Sequence, residues 1–570
     1  MRLKSSNILQ FLLIIVAFFF KASYAVEIEN WSINQWGNIK PAASLEKNSN
    51  LCSRDSKKST LFQVVSRGSG DVELISQGLL KQGEAYRFTG WMKSSAPTSV
   101  QLFFRKDAFP YDTSVTKTVQ VFGWTFVDMI GIYTSTGSGS IRIGLSSNNV
   151  SLCLSESSVS QIKSFEVGQA PGAKVDEKYF GIHLNKLGEH NSWPDFNPGS
   201  IRLWDSGTTW ANLQPINSNI DWQYNQHAKR LDYYINHGLK NNPSLRFIYT
   251  LAMTPNWNGS RQSDQCHHSP YGESSCTMPV KLESWRNFVR EVAIKYNGII
   301  NIWELWNEAD IPMHWSQTPE DLVLLAKIAN EELKAINSKN KLIGPSITSG
   351  GFQFLRAFLN ASGGAYVDGV SFHGYLGNSP SLAISQIRNL RQILKEAGQE
   401  RLDIWNTETS LLCNSFIEVC SLKFNEKNRS DETLAKGLLG NAALGVKVFE
   451  YYTWEGVASS EDKLGLVNSD FKTSNHLGKV VKKIKSWIVN GVIKYEKSNF
   501  QGLNIISVER NSVKSYVMWT DLSSVNINLS DWMKNPNIFK MNDDFPTTPM
   551  SGSLIIDSAP VLIFENNSLK

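Results

Sequence analysis

NIWELWNEAD, Asn301 to Asp310, places two tryptophans and three acids within ten residues of what otherwise reads as a short β-strand. Successive side chains of a strand point to opposite faces, so Glu304, Trp306 and Glu308 share one parity, and Trp303, Leu305 and Asn307 the other. Glu308 falls where the strand ends, and Glu304 lies about one layer deeper. Acids at the ends of parallel strands are what a (β/α)8 barrel presents at its C-terminal rim. The reading of this stretch therefore turns on whether its neighbours build such a barrel.

They do so by rhythm. Between residues 175 and 489 the chain repeats strand, loop and helix, with eight candidate strands: Tyr179–His183, Ser200–Trp204, Arg246–Thr250, Asn301–Trp306, Leu342–Pro345, Asp368–His373, Leu402–Thr407 and Val448–Thr453. Trp285, Phe288, Val289, Val292, Ala293 and Tyr296 recur at helical spacing and make one apolar face. Thr318 followed by Pro319 and Asp321 reads as an N-cap with proline at the first helical position. A doubly wound open sheet is the alternative, but it wants a Gly-rich phosphate turn after the first strand, and none is present.

Either side of the barrel the helical period stops. Residues 26–174 alternate in short runs broken by Gly, Ser, Asn and Pro, the pattern of a β-sandwich. Residues 490–570 read as a second, smaller antiparallel sandwich. Residues 1–25 read as a secretory signal, with Arg2 and Lys4 ahead of an apolar run and a small-residue site at Ser23-Tyr24-Ala25. The expected location is secreted or periplasmic. Six cysteines in an exported chain suggest three disulfides: Cys266 with Cys276, Cys413 with Cys420, and by remainder Cys52 with Cys153. A metal site at Cys266 with His267 and His268 is the rival for the first pair, but the spacing fits no usual zinc pattern. A net charge of +5 over 570 residues, without a basic stripe, does not imply nucleic acid. The 18 Trp, 17 Tyr and 28 Phe suit flat ring-shaped ligands such as sugars, or simply large cores.

Trp405-Asn-Thr-Glu408, in the seventh strand, delivers another acid where a β-run gives way to a loop. Strands four and seven face each other across a barrel, so Glu308 and Glu408 can meet over a central pocket. Glycosidic bond hydrolysis needs such a pair, one carboxyl to protonate the departing oxygen and one to attack the anomeric carbon or activate water.

WELWNEAD followed by WNTE408 resembles the clan of retaining (β/α)8 glycosidases, and the spacing and flanking sandwiches are most similar to glycoside hydrolase family 39. The strand pattern GEAYRFTGWMK, GWTFVDM and SLCLSESSVSQI resembles the jelly-roll carbohydrate-binding modules of secreted glycosidases. Position by position, the resemblance implies Glu308 as acid/base, Glu408 as nucleophile and Asn307 as ligand of the sugar 2-hydroxyl. It implies that His373 lines the pocket, that Tyr375 steadies the nucleophile, that Arg202 keeps it ionised, and that Trp454 is an aromatic platform beneath the sugar. Ala309 departs from the family, many of whose members carry Pro there. An apolar wall, for which Trp306 and Trp315 are candidates, or the charge of the nearby nucleophile is the expected means of keeping Glu308 protonated. Glu304 reads as a buried acid paired with a cation, Arg202 being one candidate, and Asp205, Asp310, Glu450 and Glu455 are further acids near strand ends.

The sequence has no GxSxG elbow, no HExxH and no P-loop. The expected protein is a retaining, endo-acting hydrolase of a β-linked polysaccharide, such as a bacterial exopolysaccharide. It needs no cofactor or metal, and its mature chain needs no membrane span. The polar and aromatic loop Thr254 to Asn258 hints at several sugar subsites. An exo-acting β-xylosidase-like enzyme and a non-catalytic carbohydrate-binding or assembly protein are the alternatives.

Overall fold

The computed structural model describes residues 26–565 apart from 39–40, 55–56, 83, 110, 112, 134, 162–171, 186, 188–192, 260–265, 267–268, 377–379, 412–426, 456–463, 497–502, 521–523, 542 and 550–551. The signal-like segment, the Cys413–Cys420 pair and the His267–His268 alternative lie outside the described residues. Cys52–Cys153 and Cys266–Cys276 are disulfides, with Cα atoms 5.3 and 5.6 Å apart. No helix among the described residues is long and apolar enough to cross a membrane.

Eight parallel strands close into a barrel: Phe180–Ile182, Ser200–Leu203, Arg246–Leu251, Ile302–Leu305, Lys341–Ile347, Gly369–His373, Asp403–Thr409 and Phe449–Tyr451. Each coincides with an expected strand to within two or three residues. The helix Leu282–Lys295 buries the face that the sequence marks out. Thr318 and Asp321 form a reciprocal capping box at the start of Pro319–Ile336, with Asp321 N–H donating to Thr318 Oγ1 at 3.2 Å.

Alternation along the strands divides the barrel interior from its coat. Ile201, Leu203, Phe247, Tyr249, Trp303, Leu305, Val370 and Phe372 join the core between strands and helices. Of the opposite parity, Ile248, Ile302, Ile343, Trp405 and Val448 cluster separately as an apolar plug. One step further toward the strand C-termini the same faces carry Arg202, Thr250, Glu304, His373, Thr407 and Glu450, all buried. The polar layer thus rests on a dry floor.

Residues before the barrel fold into a six-stranded and a five-stranded antiparallel sheet around their own core, including Phe62, Phe88, Leu102 and Ile143. This sandwich meets the barrel beside the loop that follows barrel strand five. Lys117 Nζ lies 5.6 Å from the ring of Phe352, and Arg87 pairs with Glu396 at 3.5 Å. After the barrel, five strands and Ala173–Lys174 from before it form a six-stranded antiparallel sheet that packs one face on the barrel helices through Ile506, Val517 and Trp519. Its other face packs on a two-stranded ribbon through Ile505, Met518 and Ile556.

Candidate active site

Strand four stops at Leu305, and the next residues leave the strand's alternation. Trp306 and Glu308 have φ of 61° and 43°, a region that side chains with a Cβ enter only when their surroundings hold them there. Four hydrogen bonds do so. Trp306 N–H donates to Leu251 O at 3.1 Å, Ala309 N–H to Ser346 O at 2.9 Å, Ile311 N–H to Glu308 O at 2.9 Å, and the Trp306 indole to His314 O at 2.7 Å. The parity argument for Glu308 therefore ends one turn too early: its direction is set by this turn, not by the pleat.

Arg202 ties the site together. Its guanidinium donates to Glu304 Oε2 at 2.7 Å, Glu408 Oε2 at 2.8 Å and Asn307 Oδ1 at 2.8 Å. The two carboxylates that stood as rival partners for Arg202 share it, because a planar fork of N–H donors reaches both at once. Thr250 Oγ1 adds a hydrogen bond to Glu304 Oε2 at 2.9 Å. Burial works against the Arg202 charge, but Glu304 and Glu408 more than offset it. Burial likewise opposes the charge on Glu304, while Arg202 and His373 hold its carboxyl below the usual range.

Strands six and seven are paired His373 to Glu408 across a register shift, which turns the Glu408 side chain into the pocket. Tyr375 OH donates to Glu408 Oε1 at 2.5 Å. His373 Nδ1 lies 2.8 Å from Glu308 Oε1 and 3.7 Å from Glu408 Oε1, while its Nε2 meets Ser346 Oγ at 2.7 Å. Reactive atoms of Glu308, His373 and Glu408 all lie within 4.8 Å of one another. These three would also be the side chains to hold a metal ion here, but the His373–Glu308 hydrogen bond and those of Arg202 and Tyr375 to Glu408 already account for the arrangement.

Proton affinities in the site run against both expectations, a Glu308 kept protonated and a Glu408 kept ionised. Trp306 and Trp315 pack on each other with ring centroids 4.7 Å apart, and what touches the Glu308 carboxyl is imidazole. Burial would raise Glu308, but His314, 3.3 Å from Oε2, and His373 outweigh it and hold Glu308 low. Burial, with Glu308 repelling, pushes Glu408 up against the attraction of His373 and Arg202. His373 is lowered by burial but raised overall by Glu408 and Glu308. One guanidinium thus bonds two of the three carboxylates, and the third, Glu308, lies against the imidazoles of His373 and His314.

The expected set is only partly brought together. Arg202, Asn307, Glu308, His373, Tyr375 and Glu408 form one connected cluster. Trp454 does not present a stacking face: it is fully buried and packs at 6.0 Å on Phe196. The expected platform is a packing position, since a sugar needs an open ring face. The loop Thr254 to Asn258 is likewise committed elsewhere, with the Trp257 indole on Gln214 O and Asn258 buried against Lys281. Its hint of extra subsites falls away.

Of the remaining acids, Asp205 accepts from Tyr271 OH at 2.9 Å and Tyr452 OH at 2.5 Å, knitting the rim loops after strands two, three and eight. Asp310 accepts from the N–H of Thr348 at 2.8 Å and from its hydroxyl. Glu455 accepts from Asn185 N–H at 3.2 Å. Glu450 lies in the barrel floor, taking a 2.5 Å hydrogen bond from Ser200 Oγ; burial pushes its carboxyl up to about 8. Gly181 opposite it has no room for a Cβ, which would meet that carboxyl. Sequence reasoning missed His314, Tyr271, Tyr452 and His183. His183, in the pocket floor, donates from Nε2 to Thr407 O at 3.0 Å and is kept neutral by burial and Arg202. Its position at the end of strand one was the available signal.

Residues 203–433 match the family model described as glycosyl hydrolase catalytic core. Among solved structures, the fold is similar to a family 39 glycoside hydrolase from the gut symbiont Bacteroides cellulosilyticus WH2, at 15% identity over 86% of this chain and 96% of that one, with a TM-score of 0.50. A family 39 β-xylosidase from Caulobacter crescentus matches at 14% identity over 69% and 97%, TM-score 0.48. A family 39 enzyme from Xanthomonas axonopodis pv. citri matches at 12% identity over 69% and 95%, TM-score 0.46.

Proposed function

We propose that this chain, a glycoside hydrolase, cleaves a β-linked polysaccharide with retention of configuration, Glu408 acting as nucleophile and Glu308 as acid/base. The observation that carries the reading is the approach of the two carboxyl groups to within 4.8 Å. Retaining enzymes hold them about 5–5.5 Å apart, whereas inverting ones leave about 6.5–9.5 Å for a water.

In the first step Glu408 attacks the anomeric carbon while Glu308 protonates the leaving oxygen. Arg202 and Tyr375 each hold one Glu408 oxygen and so aim the carboxylate. The proton for the leaving group is drawn from the short Glu308–His373 contact. Once Glu408 is an ester its charge is gone, Glu308 no longer faces a neighbouring anion, and its own charge is favoured. That suits its second role, taking a proton from the water that frees the sugar. Asn307 is oriented by Arg202, which occupies Oδ1, and its Nδ2, 3.4 Å from His314 Nδ1, keeps a second N–H to donate to a sugar hydroxyl.

Endo action on an exported polymer is supported by the sandwich set against the rim. A chain running past the loop after strand five meets the sandwich edge at Lys117 and Thr118. The two disulfides fit an oxidising compartment.

The test is a panel of β-linked polysaccharides, with the anomer of the first product read by NMR and product sizes by chromatography. A β product confirms retention, and an α product overturns it. Release of only monosaccharide from chain ends would replace endo action by the β-xylosidase-like alternative. Glu408→Gln is expected to lose about 10⁴-fold or more in kcat. Activity surviving that change would remove Glu408 from its role.

A further inference from the structure

The loop after barrel strand three is closed by Cys266–Cys276, both fully buried. It is more than thirty residues from Glu308 in sequence, yet it holds the segment that touches Glu308. Cys276 O accepts from Ser316 N–H at 2.8 Å and from Ser316 Oγ at 3.1 Å. Ser316 stands two residues beyond His314, whose Nδ1 lies 3.3 Å from Glu308 Oε2 and 3.4 Å from Asn307 Nδ2. From inside the same disulfide loop, Tyr271 sets its ring 5.0 Å from Trp204 and 6.2 Å from His314. Its hydroxyl is anchored on Asp205 at 2.9 Å. The His314 imidazole is thus walled by Trp204 and Tyr271 and clamped from behind by the disulfide.

We infer that the Cys266–Cys276 loop, through Tyr271 and Ser316, is a positioning element that seats His314 against the Glu308 carboxyl. The inference rests on Glu308 being the acid/base. His373 on strand six, Glu408 on strand seven and Arg202 on strand two face Glu308 from the barrel itself. Tyr375, Asp310 and Tyr271 act on it from the rim. Of its two hydrogen-bonded imidazoles, only His314 is carried by a loop that depends on the disulfide. Both imidazoles favour the charged form of Glu308, so unseating His314 makes the carboxyl harder to ionise. The basic limb of kcat/KM reports the acid's proton, and it moves to higher pH.

The experiment compares pH profiles of kcat/KM for the full chain, Tyr271→Phe, Ser316→Ala, C266S/C276S and C52S/C153S, with thermal melts to verify folding. Expected is an upward shift of the basic limb by about half to one pH unit in the first three variants. C52S/C153S, whose bond lies in the sandwich, keeps the parent profile. Should C266S/C276S not fold, Tyr271→Phe and Ser316→Ala decide the matter. Folded loop variants with an unmoved basic limb overturn the inference alone. A Glu308→Ala protein that keeps the parent basic limb overturns the acid/base reading, and the inference with it.

Discussion

Two buried arginine–glutamate clusters in this molecule are built from the same parts and balance their charge differently. In the N-terminal sandwich, Glu73 accepts from Arg105 at 3.1 Å and Arg142 at 3.2 Å, with Asp107 3.8 Å from Arg142. Two guanidiniums meet two carboxylates across neighbouring strands. In the barrel, Arg202 serves Glu304 and Glu408 together, and Glu308 leans on two imidazoles. The first cluster pairs its charges one for one, whereas a buried cluster short of cations favours protons on carboxyl or imidazole. The deficit distinguishes a site that can exchange protons from one that only staples strands.

Changing the balance tests this contrast, taken in order of effect on turnover. Arg202→Met leaves Glu304 and Glu408 buried without their cation. It should cost about 10³-fold in kcat, and about 3–5 kcal/mol of stability by chemical denaturation. Glu304→Gln keeps an acceptor for Arg202 but removes one negative charge. Arg202 then acts on Glu408 alone, so the acidic limb of kcat/KM should move to lower pH with about a tenfold loss of rate. An unmoved acidic limb would show that Glu304 does not share in the charge of the site.

Glu450→Gln should leave turnover within about twofold while flattening the dependence of stability on pH. The carboxyl rises from the ordinary 4.5 to about 8 in the folded chain. Between those values the folded state keeps a proton that the unfolded state releases, so stability falls as pH rises, by roughly 1.4 kcal/mol per unit for one such group. Melting temperatures across pH 4.5 to 8 should show that slope in the parent and not in the variant. Arg142→Met should lower stability by about 2–3 kcal/mol and leave kcat unchanged, since the cluster it breaks holds the sandwich only. A loss of kcat there would mean that the two regions are coupled.

Much of this arrangement is legible in the chain. Most of the eight strands carry short apolar stretches, and burial on both faces makes them conspicuous. The six clustered site residues sit at strand ends or just beyond, where rim chemistry is expected. The partners of Glu308 are less legible. His314 is a lone histidine in an irregular loop, and Tyr271 is one tyrosine in a segment of mixed composition. No period relates either to the strand it serves. Trp454 shows the converse: an aromatic residue after strand eight invites a role in sugar stacking, and only packing reveals that Phe196 covers it.

The sequence by itself determined the barrel, the flanking sheets and the identity of the opposed acids, because apolar periodicity and strand-end position are local properties of a chain. Tertiary structure alone decided how the charge is shared. Arg202 serves Glu304 and Glu408, and His373 stands between Glu308 and that same Glu408, because residues as far apart as 202, 308, 373 and 408 converge within 4 Å of a partner. In a buried site the proton goes where the nearest charges send it, and those neighbours come from different strands.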